Sequence, residues 1–479
     1  MARIKKLIFF FALVGAAVII SQAIVSQNLR FLYLILGLGG LAGSLYLIKR
    51  IGLFPFLCVA VFVYWLPLDS RLQSFSPALT RVYPTELVIW GLIILGLLLG
   101  SVSKKVPSIP TRGGFPFLPF TLFVIGALLA YISAEYKGEY SLIVIRTVCF
   151  LPPLFCFLCF WLIRNIKQAE RLLWCFLISA GLLGLVFLYA PQLASYEQEL
   201  MSASVIGSER LMKIINLPLC DSLFMGAEVT PISYAFVAIL AFNLWLNDRS
   251  FGKRLAAAGI MLVAALIIIK SQGRMALIAT GISTVVLAVL ALKVKKHSPA
   301  SFAGTLWKIG LPAFALFFGF WYYAKFSLGA RAQQRVLEVL NDPSQAPGLA
   351  DRIWRWQESA LVALEHPFFG VGLEGFQKYG YVYTWFAHNT YLYLWLSFGI
   401  IGFIGFIWIF VRFTKAYLRA LHSSDAGCQT LAFSGIACVV ALSLVSITSS
   451  TFFVTPWQLF MLWTPFGITF AAVTLAKNE

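Results

Sequence analysis

The sequence predicts an all-α integral membrane protein, polytopic, with about fourteen (12–14) transmembrane helices and a large loop carrying short helices on one face. Three observations predict it. Of the 479 residues, 60% are hydrophobic and 12% charged, with a mean hydropathy of +0.86, whereas a soluble domain is about half apolar and about a quarter charged. One stretch after another is long enough to cross a ~30 Å hydrocarbon core. The charges, finally, divide between the two faces as a membrane demands.

In chain order, apolar runs mark spans at 7–26, 31–48, 51–68, 86–102, 115–134, 141–163, 172–192, 231–247, 255–270, 274–292, 304–323, 388–411, 428–448 and 452–474. The opening MARIKK and its apolar run read as an uncleaved start-transfer helix, because no small-residue cleavage site follows and further spans do. An even number of spans puts both termini on one side. With that side cytoplasmic, 22 of the 37 basic residues and four of the 19 acids (Glu170, Asp248, Asp425, Glu479) lie inside. The remaining charges cancel, so the whole net charge of +18 sits on one face, as the positive-inside rule expects. The basicity reports orientation in a bacterial inner membrane, and excludes a nucleic-acid partner as its explanation. Residues 1–479 read as a single membrane-embedded domain with two substantial periplasmic loops, a smaller one at 193–230 and a large one at 324–387.

Seven of the eight cysteines lie in or beside spans, and only Cys220 falls in a large outer loop. Cys156 and Cys159 sit among Phe and Leu and read as packing residues. No cluster of ligands has metal-binding spacing, so neither a metal nor another cofactor is expected.

The large loop contains DRIWRWQESALVALEH, Asp351 to His366, followed by Pro367. Asp351 reads as an N-cap and Pro367 as a stop. Ile353, Trp356, Ala360, Leu361 and Leu364 form an apolar stripe at helical spacing, which suits packing on the bundle or lying at the membrane surface. The other face, with Arg352, Arg355, Ser359 and His366, is expected to point outward, as a headgroup-facing surface or as an anion site. Gly370 and Gly372 in FFGVGLEGF suggest a turn with close backbone approach. Tyr379, Tyr381, Tyr383, Trp385 and Phe386 suit an interfacial aromatic belt or a surface for stacking on sugars. His388 and Asn389 then open a span at its outer edge. A helix N-terminus disfavours an imidazolium, leaving such a ring neutral and able to accept a proton.

Arg274 begins a span after a very short outer turn, and Arg146 lies about five residues inside another. An intramembrane arginine is costly unless paired or solvated, which makes it a functional candidate. Arg210 lies in the smaller outer loop. Arg146, Arg210, Arg274, Arg352, Arg355 and His388 thus all map to the outer face. Arginine binds phosphate bidentately and stays charged, so their convergence would suit a pyrophosphate.

Between about 270 and 410 the sequence resembles the O-antigen ligase and O-antigen polymerase superfamily. The matching features are Ser271-Gln272-Gly273-Arg274, the arginine-led helix with Arg352 and Trp354, Pro367-Gly370-Gly372 with Phe376, and His388-Asn389 with Tyr391-Leu392, followed by Gly399 and Gly402. The resemblance implies a multi-spanning glycosyltransferase that moves a glycan from undecaprenyl pyrophosphate to an acceptor hydroxyl, without a metal. It implies His388 as the group that activates the acceptor, and Arg210 and Arg274 as holders of the donor pyrophosphate. The acceptor is a glycan or lipid A-core for a ligase, or the next lipid-linked repeat for a polymerase. The absence of any Asp-x-Asp pair speaks against a metal-dependent nucleotide-sugar enzyme. A transporter of lipid-linked oligosaccharides fits less well, since it calls for charges deep within several spans and an inverted repeat.

Overall fold

A computed structural model describes residues 52–64, 89–94, 115–135, 142, 145–189, 226–248, 250–270, 274–294, 310, 349–373, 375, 387–449 and 456–475. The expected spans 7–26 and 31–48, with most of 86–102 and 304–323, lie outside the described residues, as do residues 193–225 of the smaller expected loop, Arg210 included. By internal contacts the chain divides into Met1–Phe56 with Gly91–Ile109, and Leu57–Trp90 with Pro110–Glu479. Only 52–56 and 91–94 of the first unit are described, so the packing below is that of the second.

Every regular element among the described residues is helical: α1 (Phe54–Tyr64), α2 (Phe117–Ser133), a π-helical turn (Ile145–Phe150), α3 (Leu151–Leu162), α4 (Ile166–Tyr189), α5 (Gly226–Asn247), α6 (Phe251–Lys270), α7 (Arg274–Val294), α8 (Leu349–Glu365), α9 (Thr390–Ala420), α10 (Ala426–Thr448) and α11 (Pro456–Leu475). Five of them contain stretches long and apolar enough to cross a membrane: α4, α6, α7, α9 and α10. Shorter apolar helices occupy Phe117–Ser133, Val148–Leu162, Pro231–Asn247 and Leu462–Leu475, at positions where the apolar runs predict spans. The helical reading follows from the solvent, because a segment in hydrocarbon must satisfy its own backbone groups.

The closest packing is between α2 and α9, and glycine makes it possible. A Cβ on Gly126 would run into the backbone of Gly402, and one on Gly405 would meet Phe123 Cα at 2.8 Å. Small residues let two backbones approach where lipid offers no hydrophobic drive. Beside this contact, α2, α9 and α11 share an aromatic core. Phe413 lies 4.6 Å from Phe470 and 5.9 Å from Phe466, ring to ring, and Trp463 lies between Phe120 (5.9 Å) and Phe410 (5.5 Å). A Cβ on Gly467 would lie 3.4 Å from the Cys156 sulfur and 3.3 Å from that of Cys159, and both cysteines are buried, so both are packing residues, as expected. Between α5 and α10, the buried Asn243 donates to Thr430 O and Ser434 Oγ, both at 2.6 Å.

The bundle has two chemically distinct ends. At one, Gly427 packs on Ile166 and Glu170, Asp248 pairs with Lys253 at 3.7 Å, and Glu170 lies within electrostatic reach of Lys253, Asp248 and Asp425. The short connections before α4, between α5 and α6, and between α9 and α10 therefore share this end. At the other end, the start of α9 is bonded to the end of α10, Thr390 Oγ1 donating to Ser449 O at 2.5 Å. Helix α6 leaves the first end at Phe251, so its C-terminus and the start of α7 at Arg274 belong to the second.

Candidate functional site

The second end carries most of the expected site residues, and α9 organises it. Asn389 is the N-cap of α9, its Oδ1 accepting from Tyr391 N (2.9 Å) and Leu392 N (3.1 Å). Its Nδ2 donates to Ile447 O at 3.1 Å. Both ends of this carboxamide are thus engaged within the protein, one closing the start of α9 and the other gripping the last turn of α10. Tyr391 adds a bond from its hydroxyl to Ser443 O at 3.3 Å.

His388 precedes the cap. Its φ of 43° is the one positive value at a non-glycine residue among those described, an uncommon conformation for which His is one of the tolerant residues. The ring is half-buried, with Nδ1 enclosed. The expected position in the first helical turn is therefore off by a short step. Asn389 has the better capping side chain and takes the cap, leaving His388 just outside the helix, on the rim.

Helix α8 starts at Leu349, so Asp351 lies within its first turn instead of capping it, and it ends at Glu365 before Pro367 as expected. Its orientation corrects the sequence reading. Ile353, Trp354, Leu361 and Leu364 are exposed, while Ser359, Val362 and Ala363 are buried, the last two against Leu396 beside Trp395. Arg352, Arg355 and His366 are half-buried on the protein side, and Arg355 Nε is enclosed. Ser359 Oγ is fully buried with no hydrogen-bond partner among the described residues. The cationic row faces inward, and the outward face carries Ile353, Trp354, Leu361 and Leu364 with the polar Gln357 and Glu365. Cations held where water is scarce attract an anion more strongly than the same groups in bulk water.

Residues Pro367–Val371 join α8 to α9 through a break in the latter. At Gly399 (φ 63°, ψ −174°) the helix is interrupted. An unbroken helix would bond Ile400 N to Leu396 O. Instead Ile400 N donates to Pro367 O at 2.9 Å, and Leu396 O accepts from Val371 N at 2.8 Å. Trp395 Nε1 also donates to Pro367 O, at 3.3 Å. The fit needs glycine on both sides. A Cβ on Gly399 would meet Phe368 O, one on Gly370 (φ 68°) would lie 2.7 Å from Gly399 N, and one on Gly372 (φ 80°) 2.9 Å from Ala134 Cβ at the end of α2. The close approach expected of Gly370 and Gly372 is what these contacts are. The break itself was missed, although Gly399 and Gly402 stood out in the sequence.

Arg146 lies in the π-helical turn, half-buried with Nε enclosed, and this turn packs on α2, whose last residues also meet Gly372. Arg274 is the first residue of α7. The structure therefore gathers Arg146, Arg274, Arg352, Arg355, His388 and Asn389 at one end, while Arg210 is outside the described residues.

Residues 259–407 match the family model of O-antigen ligase. That segment is similar to the O-antigen ligase domain. No curated protein matches the chain. The ligase segment runs from within α6 to within α9, so Arg274, α8, the Gly399 joint and His388 all fall inside it, and Arg146 and Arg210 fall before it. The match supports a function of the O-antigen ligase type at family level, and members of that family are enzymes.

Proposed function

We propose that this protein transfers a glycan from undecaprenyl pyrophosphate to an acceptor hydroxyl, of a lipid A-core or a similar terminus, on the periplasmic face of the inner membrane. The observation that carries the reading is the inward cationic row of α8 at the same bundle end as His388, all within the ligase segment. Arg355, Arg352, Arg274 and Arg210 hold the donor pyrophosphate, with Arg146 supporting them. Arginine suits this because its fork matches phosphate and its charge is permanent. Asn389 contributes to the glycan side of the site through the rim that it holds.

In the reaction His388 takes the proton of the acceptor hydroxyl as its oxygen attacks the anomeric carbon. The bond from that carbon to the pyrophosphate oxygen breaks, and undecaprenyl pyrophosphate leaves. Fixed guanidinium groups aimed at the developing charge supply electrostatic stabilisation, so no metal is required. Attack opposite the leaving group inverts the anomeric centre. The lipid–pyrophosphate linkage supplies the driving force.

A polymerase shares this donor chemistry and differs in its acceptor. Reconstitution with a defined undecaprenyl-pyrophosphate oligosaccharide, offered a lipid A-core or a second lipid-linked repeat in the presence of EDTA, tests the assignment. Transfer to the core supports the ligase, and transfer to the second repeat replaces it with the polymerase. Dependence on added Mg²⁺ or Mn²⁺ overturns the metal-free mechanism, and no transfer with movement of the intact lipid across the bilayer points to transport.

A further inference from the structure

The joint between the Pro367–Val371 loop and α9 fixes how deep this loop lies. Helix α9 has 31 residues, about 46 Å at 1.5 Å per residue, more than a ~30 Å hydrocarbon core requires. Arg412, Lys415 and Arg419 mark the end that reaches out of the core. Counting back about 20 residues from Arg412 puts the opposite edge of the core near residue 392. Leu396 and Ile400, which bond the loop, then lie about 6 and 12 Å below that edge. The broken backbone at this depth obeys the rule that irregular structure in a membrane must be buried in protein, since Gly370 and Gly399 are both buried.

The side chains of the same loop are not buried. Phe368 is 66% exposed and Phe369 44%. They continue the outward side of α8, where Leu364 (62%), Leu361 (56%), Trp354 and Ile353 are exposed together with the polar Gln357 and Glu365. Two phenylalanines held at this depth have no water to face. The opposite side of α8 buries Ser359 and half-buries Arg352, Arg355 and His366, the reverse of a loop helix resting on a protein from the aqueous side.

We propose that the C-terminal half of α8 and the Pro367–Val371 loop are a membrane-embedded element, lodged in the leaflet at the His388 end, with Leu361, Leu364, Phe368 and Phe369 in contact with bilayer acyl chains. The segment reads as an extramembrane loop by hydropathy but is part of the membrane surface of the protein. The inference rests on the depth of the joint and is independent of the transfer reaction.

Spin labels test it on the full chain in phosphatidylethanolamine–phosphatidylglycerol nanodiscs, with wild type treated with the same label correcting for native thiols. Labels go on cysteines introduced at Leu361, Leu364 and Phe368, exposed sites where a label displaces no packing, and at Ser424 as an aqueous control. Collision with oxygen, which concentrates in hydrocarbon, is expected to exceed collision with a water-soluble nickel chelate several-fold at Leu364 and Phe368, with the ratio reversed at Ser424. The oxygen preference is expected to fall from Phe368 toward Leu361. If Leu364 and Phe368 match Ser424, the element is in water. If both reagents are excluded at these sites, another protein surface covers the row. Either result overturns the proposal.

Discussion

His388 stands one residue outside α9 in a backbone conformation that costs a non-glycine residue about 1–3 kcal/mol. The neighbours hold it there: Asn389 closes the helix behind it, and Thr390 and Asn389 tie it to α10. Because the clamp belongs to those two residues, removing the imidazole leaves the rim standing. His388→Ala is therefore expected to lower kcat by about 10²–10⁴-fold, the usual contribution of a general base, with expression and donor KM near wild type. His366, at the end of α8 where Gly370 N bonds its carbonyl, serves through its backbone, so His366→Ala should keep most activity. Steady-state kinetics on both variants decide this, and the reverse order would assign the base elsewhere. For the cations, Arg274→Lys and Arg355→Lys should both impair transfer despite unchanged charge, since a point charge replaces a fork, and the alanine variants should be worse. Equal activity of lysine and arginine at matched expression would remove the pyrophosphate clamp.

At the scale of elements, the helices were legible because apolar run length is a direct physical demand of the bilayer. Every expected span within the described residues falls on a helix. The direction of α8 was not legible. Periodicity divides a helix into two faces but does not say which one meets the protein. The Gly399 break was hidden for another reason: Gly399, Gly402 and Gly405 look alike in sequence, yet Gly402 and Gly405 lie in continuous helix against α2 while only Gly399 leaves the helical conformation. This distinction gives a prediction. Gly399→Ala forces a Cβ into Phe368 O and a side chain into a conformation essentially reserved for glycine, a strain of about 1–3 kcal/mol before the clash. The joint should loosen, with faster hydrogen exchange at the Val371 and Ile400 amides and a raised donor KM. Unchanged protection at both amides would show that the joint tolerates the methyl and that its glycine is not required.

For the whole molecule, the grouping of Glu170, Asp248, Lys253 and Asp425 at one end agrees with the charge map read from sequence, which assigns their segments to one side of the membrane. Which side is a separate matter, argued from the positive-inside rule. Both termini and residues 412–427 should be cytoplasmic and 324–348 periplasmic. A cysteine introduced at Ser424 should resist an impermeant maleimide in intact cells and react after lysis, whereas one in 324–348 should react in both. Labelling of Ser424→Cys from outside would invert the topology, and with it the compartment of the proposed reaction. That Arg146, Arg352, Arg355, His388 and Asn389 lie toward one end of the bundle was legible in the sequence. The inward turn of the α8 cations was not, because it follows from the tertiary docking of α8 on α9.

The splice in α9 also bears on how the chain is made. Leu396 C=O and Ile400 N–H, left bare in hydrocarbon, would each cost several kcal/mol. Their partners, Val371 and Pro367, precede them in the sequence and so leave the ribosome first. The mate of the broken span is waiting when that span arrives, and at no stage of synthesis must the two halves of α9 enter lipid with the gap unfilled. Translation order is thus part of the design of this joint: a permuted chain that emits α9 before α8 would have to shelter an open break in the membrane until its filling was translated.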